Sequence, residues 1–197
     1  MGLPMSAGAA QPLITVEAAS LVRVVLASGD ATGRPFAIVD KQAAVLMLFH
    51  ADGRLAGSST ALLGRDPGDH SVPGVGGRAQ TGALRPGDAT TPAGRFDSQP
   101  GRNLQGEHIV WVDYETAFAI HRVRPGAAQA GRLQRLASLD VHDKRISAGC
   151  VVVPVAFYER VVQPLLGRRA GVVYVLPDNP KHANPWIEIA RQGLSRA

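Results

Sequence analysis

The spacing of apolar positions changes several times along the chain, and each change predicts a different element. Between Thr15 and Leu26 apolar residues recur every three or four positions, which predicts an amphipathic helix with Thr15 as its N-cap and Gly29 at its end. The following segment has short apolar runs separated by polar residues and by the turn sequence ADG, which predicts three consecutive strands. These predicted strands are 36–39, 44–49 and 55–63.

The next segment, residues 65–95, has no regular spacing and is rich in Gly, Pro and Asp. A stretch of this length without an element is uncommon in a compact domain, so it predicts a functional loop. Its sequence GVGGRA matches the pattern G-x-G-x-x-A, but Pro73 and Pro86 stand where a dinucleotide site needs a strand and a helix. We therefore exclude a dinucleotide-binding site here.

The second half of the chain returns to alternating runs. Two strands are predicted around the turn at residues 113–116, and the polar segment 126–145 contains a short predicted helix around residues 132–137. Pro154 begins a predicted helix, and GVVYVLP (171–177) predicts a buried strand. The whole pattern predicts a mainly β protein with short helices, of the α+β class.

The composition narrows the possible functions. At 197 residues with 45% hydrophobic positions, the chain is long enough for one domain with a substantial core. Its net charge of +5 comes from scattered arginines rather than from a lysine-rich run, which argues against nucleic-acid binding. No apolar run approaches the ~20 residues of a transmembrane helix. The single cysteine excludes an internal disulfide and a multi-cysteine zinc site.

That cysteine, Cys150, lies in the sequence SAGC, ahead of the helix expected from Pro154. Near the N-terminus of a helix the dipole lowers a thiol pKa, and the amides of Gly149 and Cys150 can stabilise an oxyanion. A lone cysteine beside an apolar run is also typical of a buried core residue. The candidate bases include His121, at a strand end, and His142, eight residues before the cysteine.

Three short motifs occur in a meaningful order: TPAGRF at Thr91–Phe96, IH at Ile120–His121, and S-x-G-C at Ser147–Cys150. This order resembles the L,D-transpeptidase catalytic domain, also called the YkuD domain. The resemblance covers residues 34–177. It implies a β-sandwich-like mixed sheet, with one helix at the N-terminus and one after the cysteine loop.

The resemblance also implies a reaction and a set of site residues. The reaction is acyl transfer on peptidoglycan stem peptides: a thiolate attacks the carbonyl at the L-centre of meso-diaminopimelate and expels D-alanine. An amine or water then accepts the acyl group, and no metal or organic cofactor is needed. The implied catalytic residues are Cys150 as nucleophile, His121 as base, Ser147 and Gly149. Thr91 and Pro92 of the first motif are predicted substrate contacts, and so are Arg122 and Arg145, because their guanidinium groups can bind carboxylates.

Several positions depart from the family pattern. Ala148 stands where the family usually has histidine, and Val152 where it often has a polar residue, so arginines such as Arg122, Arg124 and Arg145 are candidates for carboxylate recognition. The spacing of 29 residues between His121 and Cys150 is longer than is typical of the family, which implies an insertion around 126–145 and leaves His142 open as an alternative base. The departures also leave open a non-catalytic envelope protein that binds peptidoglycan.

The domain division and location follow from the same resemblance. We expect a disordered start or signal-peptide remnant (1–12), a helix and linker (13–33), the catalytic domain (34–177) and a loosely packed tail (178–197). A peptidoglycan substrate implies the periplasm or cell envelope, and hence an exported protein. A papain-like thiol hydrolase is a further alternative, in which His182 of the tail would be the base.

Overall fold

A computed structural model of the chain describes residues 14–179. The predicted start (1–12), most of the predicted tail and His182 lie outside these residues. The strands are β1 Phe36–Asp40, β2 Val45–Phe49, β3 Leu55–Thr60, β4 Leu63–Gly64, β5 Gly94–Arg102, β6 His108–Asp113, β7 Phe118–Arg122, β8 Arg145–Ser147, β9 Val151–Val153 and β10 Gly171–Val175. In the described part of the chain they form an eight-stranded sheet of order β3-β2-β1-β10-β5-β6-β7-β9 and a separate β4-β8 pair. The predicted α+β class is confirmed.

The helices are short and pack against the faces of the sheet. They are α1 Val16–Ser28, α2 Val75–Thr81, α3 Gln129–Ala137, α4 Val155–Phe157 and α5 Gln163–Leu166, with a 3-10 turn at His142–Lys144 and a π-helical turn at Tyr158–Val162. Within residues 14–179, none is long and apolar enough to cross a bilayer.

Helix α1 begins and ends where its sequence predicts. Thr15 Oγ1 accepts a hydrogen bond from the Ala18 amide at 3.2 Å, which satisfies one of the unpaired donors of the first turn. Gly29 ends the helix with φ +67° and donates its amide hydrogen to Leu26 O. The buried side chains Ala18, Leu21 and Val25 place the helix against the sheet.

Strands β1 and β2 bury every residue, because both of their faces are covered. Alternate side chains such as Phe36 and Met47 pack with α1 in an outer core, while Ala37 and Leu48 join the central core. This explains why the sequence shows continuous apolar runs here instead of a strict alternation.

Strand β5 connects the two halves of the large sheet. Its first part, Gly94–Ser98, pairs with β10, and its second part, from Gln99 onward, pairs with β6. Side chains from both halves, for example Val39 and Ile120, meet in the same central core. The sheet therefore curls over itself around one core, with an outer face on each half.

Three expectations about this region were wrong. The third predicted strand is divided, because the short β4 pairs with β8 instead of continuing beside β2. The predicted loop 65–95 contains helix α2 and the start of β5. Strand β5 was not predicted, since its sequence GRFDSQPGR has neither an apolar run nor a regular alternation.

Candidate active site

Parallel pairing of β7 with β9 brings the cysteine and the candidate base together. His121 is in register with Val152, and Ile120 with Val151. Ile120 and Val151 face the central core, so His121 and Val152 face outward, and Cys150, two residues before Val152, faces outward as well. His121 and Cys150 line the same cavity of about 570 Å³ on this outer face.

The imidazole of His121 is held as a neutral base. The side chain is 9% exposed, and Nδ1 lies 2.8 Å from Arg122 O. A carbonyl only accepts, so Nδ1 carries the hydrogen and Nε2 keeps its lone pair. Burial, together with the charges of Arg124 and Arg132, lowers the pKa of His121 to about 4, while the Arg122 carbonyl and the charge of Glu107 act in the opposite direction. The ring is therefore unprotonated at neutral pH.

The thiol of Cys150 is held in its neutral form. It is partly buried, and Sγ lies 3.5 Å from Ala117 O. Burial raises the pKa of Cys150, while the Ala119 amide and the charge of Arg124 act in the opposite direction. The resting pair is a neutral thiol and a neutral imidazole, so a proton can pass to His121 only as the sulfur attacks.

The expected activation of Cys150 by a helix N-terminus was wrong. The three residues after it form strand β9, and α4 begins only at Val155. The strand pairing with β7 keeps the helix away from the sulfur, which agrees with the raised pKa of the thiol.

Ser147 shapes the turn that carries Cys150. Its Oγ donates to Cys150 O at 2.6 Å and accepts from the Gly149 amide at 3.1 Å. Gly149 has φ +117°, and a Cβ at this position would lie 2.8 Å from Thr90 O. Only glycine suits this position, but its amide is engaged by Ser147 in this structure and not directed at the cavity.

Thr91 supports the same turn from behind. Its side chain is fully buried, and Oγ1 donates to Gly149 O and accepts from the Gly64 amide, both at 2.8 Å. Lys41 Nζ in turn donates to Thr91 O at 2.9 Å. Pro92 lines a much smaller cavity together with Gly149. Thr91 and Pro92 thus adjoin the cysteine turn, and neither lines the large cavity.

Arg122 and Arg145 also lie away from the large cavity. Arg122 Nη1 pairs with Glu159 Oε1 at 2.8 Å, and Arg145 pairs with Asp178. The opposite direction of Arg122 was readable from the sequence, because neighbouring residues of a strand face opposite sides and His121 faces the cavity.

Other arginines, which the motifs do not include, do line the cavity. These are Arg65, Arg102, Arg124 and Arg132. Among the described histidines, His121 alone lines it; His142 is exposed on its 3-10 turn. The rest of the wall includes Trp111, Tyr114 and Ala148. Residues 14–179 contain no group of three or more His, Cys, Asp or Glu that could hold a metal ion.

No family model and no curated protein sequence matches the chain. Similar solved structures include an L,D-transpeptidase from Xylanimonas cellulosilytica (16% identity, TM-score 0.46), of which the alignment covers 61%, with 73% of this chain. The catalytic domain of an E. faecium L,D-transpeptidase has 19% identity and a TM-score of 0.41, with 73% of this chain and 98% of that domain covered. The helical cell shape determining protein Pgp2 from Campylobacter jejuni has 16% identity and a TM-score of 0.48, with 80% of this chain and 52% of that protein covered. The chain spans less than two thirds of the first and third of these proteins.

Proposed function

We propose that this protein is a cysteine acyltransferase of the L,D-transpeptidase type, with Cys150 as nucleophile and His121 as base. One observation carries the proposal: His121 on β7 and Cys150, directly before the adjacent strand β9, line the same cavity, and the Nδ1 hydrogen bond leaves Nε2 of His121 free to accept a proton. A nucleophile beside an oriented neutral base is the arrangement that acyl transfer requires.

The reaction begins with a neutral pair. As Cys150 Sγ attacks the amide carbonyl, His121 Nε2 takes the thiol proton, and a tetrahedral oxyanion forms. The C–N bond then breaks, the leaving amine takes that proton from His121, and a thioester remains on Cys150. An amine acceptor, or water, loses its proton to His121 as it attacks the thioester. The thiol is restored when Cys150 leaves.

The substrate class is proposed from the motifs. The segments TPAGRF, IH and S-x-G-C resemble those of L,D-transpeptidases, so we assign a peptidoglycan stem peptide as the acyl donor. Such a peptide carries free carboxylates, and the guanidinium groups of the cavity are suited to them. A substrate of this kind places the protein in the periplasm or at the cell surface.

The proposal is tested by acylation with a carbapenem, measured by intact-mass spectrometry. We expect one adduct on the wild type, none on Cys150→Ala, and a loss of at least about a hundredfold in acylation rate for His121→Ala and His121→Gln. His142→Ala is the matched control, because His142 is exposed and outside the cavity. Rapid acylation of both His121 variants, with folding intact, would contradict the assigned base.

A second function deserves a test, because the pKa of the thiol is raised and Ala148 supplies no polar side chain beside it. These features favour a protein that binds peptidoglycan without turnover. In that case the wild type would bind soluble stem peptides and form no adduct with a carbapenem, while iodoacetamide would still alkylate Cys150. An adduct on the wild type excludes this second function.

A further inference from the structure

The charge of the large cavity is one-sided. Its wall carries four guanidinium groups and, among residues 14–179, no carboxylate. The imidazole of His121 is neutral, as described above, so it neither adds to this charge nor offsets it. A cleft lined by one sign of charge with low-dielectric walls focuses the field and attracts ligands of opposite sign. The cavity is therefore built for a negatively charged ligand.

Two of these arginines, Arg65 and Arg102, have contacts with nearby residues of their own segments. Arg65 Nε is 3.9 Å from Asp66 Oδ1, a weak and partly exposed pair. Arg102 Nη1 donates to Gly106 O at 2.6 Å. Because a backbone carbonyl carries no net charge, this contact does not neutralise the guanidinium.

The charges of the other two, Arg124 and Arg132, affect the pKa values of the reacting groups. Both charges act on His121, and that of Arg124 also acts on Cys150. Arg124 Nε lies 3.0 Å from Glu107 Oε2, yet this buried Nε makes no hydrogen bond within the described residues. Arg132 lies on α3 and has no ion pair within residues 14–179. Arg124, in the loop after β7, and Arg132, on α3, thus each present a guanidinium to the cavity wall, and Glu107 offsets the charge of Arg124 alone.

We propose that Arg124 and Arg132 form a carboxylate-binding subsite beside Cys150 and His121, so that the cavity selects anionic over neutral acyl donors. The identity of the donor rests on the proposed function, but its charge rests on the cavity alone. A guanidinium binds a carboxylate through two parallel hydrogen bonds, which orients the donor as well as attracting it. A bound carboxylate also offsets the two charges that oppose protonation of His121 during attack.

The test compares two alkylating agents of nearly the same size, anionic iodoacetate and neutral iodoacetamide. In both, the sulfur forms a bond to carbon and iodide leaves. Cys150 is the only cysteine, so the alkylation seen by intact mass in the wild type and absent from Cys150→Ala is that of this thiol. At one fixed pH the thiolate fraction cancels in the ratio of the two rates. We expect the rate with iodoacetate, divided by the rate with iodoacetamide, to be about fivefold or more higher for the protein than for 2-mercaptoethanol. This ratio should fall with added salt.

Variants assign the effect to the two arginines. Arg132→Gln and Arg124→Gln are each expected to lower the ratio by about threefold, while Arg132→Lys keeps most of it because the charge remains. The matched control is Arg23→Gln, on the exposed face of α1. A wild-type ratio equal to that of 2-mercaptoethanol, or a ratio unchanged in both Gln variants, would overturn the proposal.

Alkylation requires no acyl transfer, so the two proposals fail separately. If the protein does not react with carbapenems but reacts preferentially with iodoacetate, the subsite is supported and the proposed function is contradicted. If the protein is acylated but shows no preference between the alkylating agents, the function is supported and the subsite is contradicted.

Discussion

The two halves of the curled sheet both have an outer face next to a helix, but the helices cover these faces to different extents. On the half formed by β3, β2, β1 and β10, helix α1 covers the outer face with three buried side chains. On the half formed by β6, β7 and β9, helix α3 contributes only Leu136 to a small cluster. What α3 leaves open is the cavity that contains Cys150 and His121.

The difference shows how one strand pattern can serve stability on one half and chemistry on the other. A fully covered sheet face excludes water and polar groups, so it can hold no reactive pair. A partly covered face keeps the low polarity that perturbs His121 and Cys150 while a ligand can still reach them. The partial cover is also what brings Arg132 of α3 to the cavity wall.

The difference between the two halves is tested most directly by truncating a buried leucine in each covering helix. Leu21 of α1 is 2% exposed and lies within the larger outer core. We expect Leu21→Ala to lower the free energy of unfolding by about 4 kcal/mol, through lost burial and the cavity left behind. Urea denaturation measures this change, with Val16→Ala, at an exposed position of the same helix, as the control.

Leu136→Ala is the matched truncation in α3. Leu136 is 5% exposed, but its cluster is small and borders the open cavity, so we expect a loss of only about 2 kcal/mol. Because this cluster includes Cys150, iodoacetamide should react faster with Leu136→Ala and at an unchanged rate with Leu21→Ala. Equal losses of stability, with equal reactivity of the thiol, would contradict the difference between the halves.

The buried base makes the stability of the protein depend on pH. The pKa of His121 is about 4 in the folded chain, below its ordinary value of 6.5, so the unfolded chain binds the proton more tightly. The free energy of unfolding is therefore highest above pH 6.5 and falls as the pH drops from 6.5 to 4. The part due to His121 approaches about 3 kcal/mol at the acid end.

Urea denaturation at pH 7 and pH 4 measures this dependence. Carboxylates also titrate in this range, so the difference between wild type and His121→Gln isolates the histidine. We expect the variant to lose less stability on acidification than the wild type. The same loss in both proteins would show that His121 is not held in its neutral form.

The sequence predicted the covered half better than the reactive one. Helix α1 and strands β1 and β2 were readable because caps and apolar runs are local signals, and burial on both faces makes those runs continuous. Strand β5 was missed because it crosses between the halves with polar residues, and its place in the sheet is set by its neighbours β10 and β6. Its own residues carry no strand signal.

The site divides in a similar way. Motif order alone selected the pair that the β7-β9 register brings together, Cys150 and His121. It did not select Arg132: the helix around this residue was predicted, but where the helix lies on the sheet depends on the tertiary packing of Leu136, which no local pattern shows. Helix α2 was missed for a related reason. Its glycines are poor helix formers, but Gly76 is needed there because a Cβ at this position would lie 2.0 Å from Glu115 O, a contact that only the tertiary structure reveals.

An effect on stability as small as that of Leu136→Ala is expected where Thr91 supports the cysteine turn. Thr91→Val keeps the size of the side chain but removes the hydroxyl, so Gly149 O and the Gly64 amide lose their partner in a buried place. We expect a loss of about 2 kcal/mol in the free energy of unfolding. We also expect acylation by a carbapenem to slow by about tenfold, because the turn that positions Cys150 becomes less well ordered.

Thr91→Ser separates positioning from packing, because it keeps the hydroxyl and removes only the methyl group. We expect it to acylate at close to the wild-type rate, although burial of the methyl contributes about 1 kcal/mol of stability. A Thr91→Val protein that is destabilised but acylates at full speed would assign Thr91 to the core alone. Slow acylation with normal alkylation by iodoacetamide would instead place its effect on the geometry of attack, since the thiol itself would remain equally accessible.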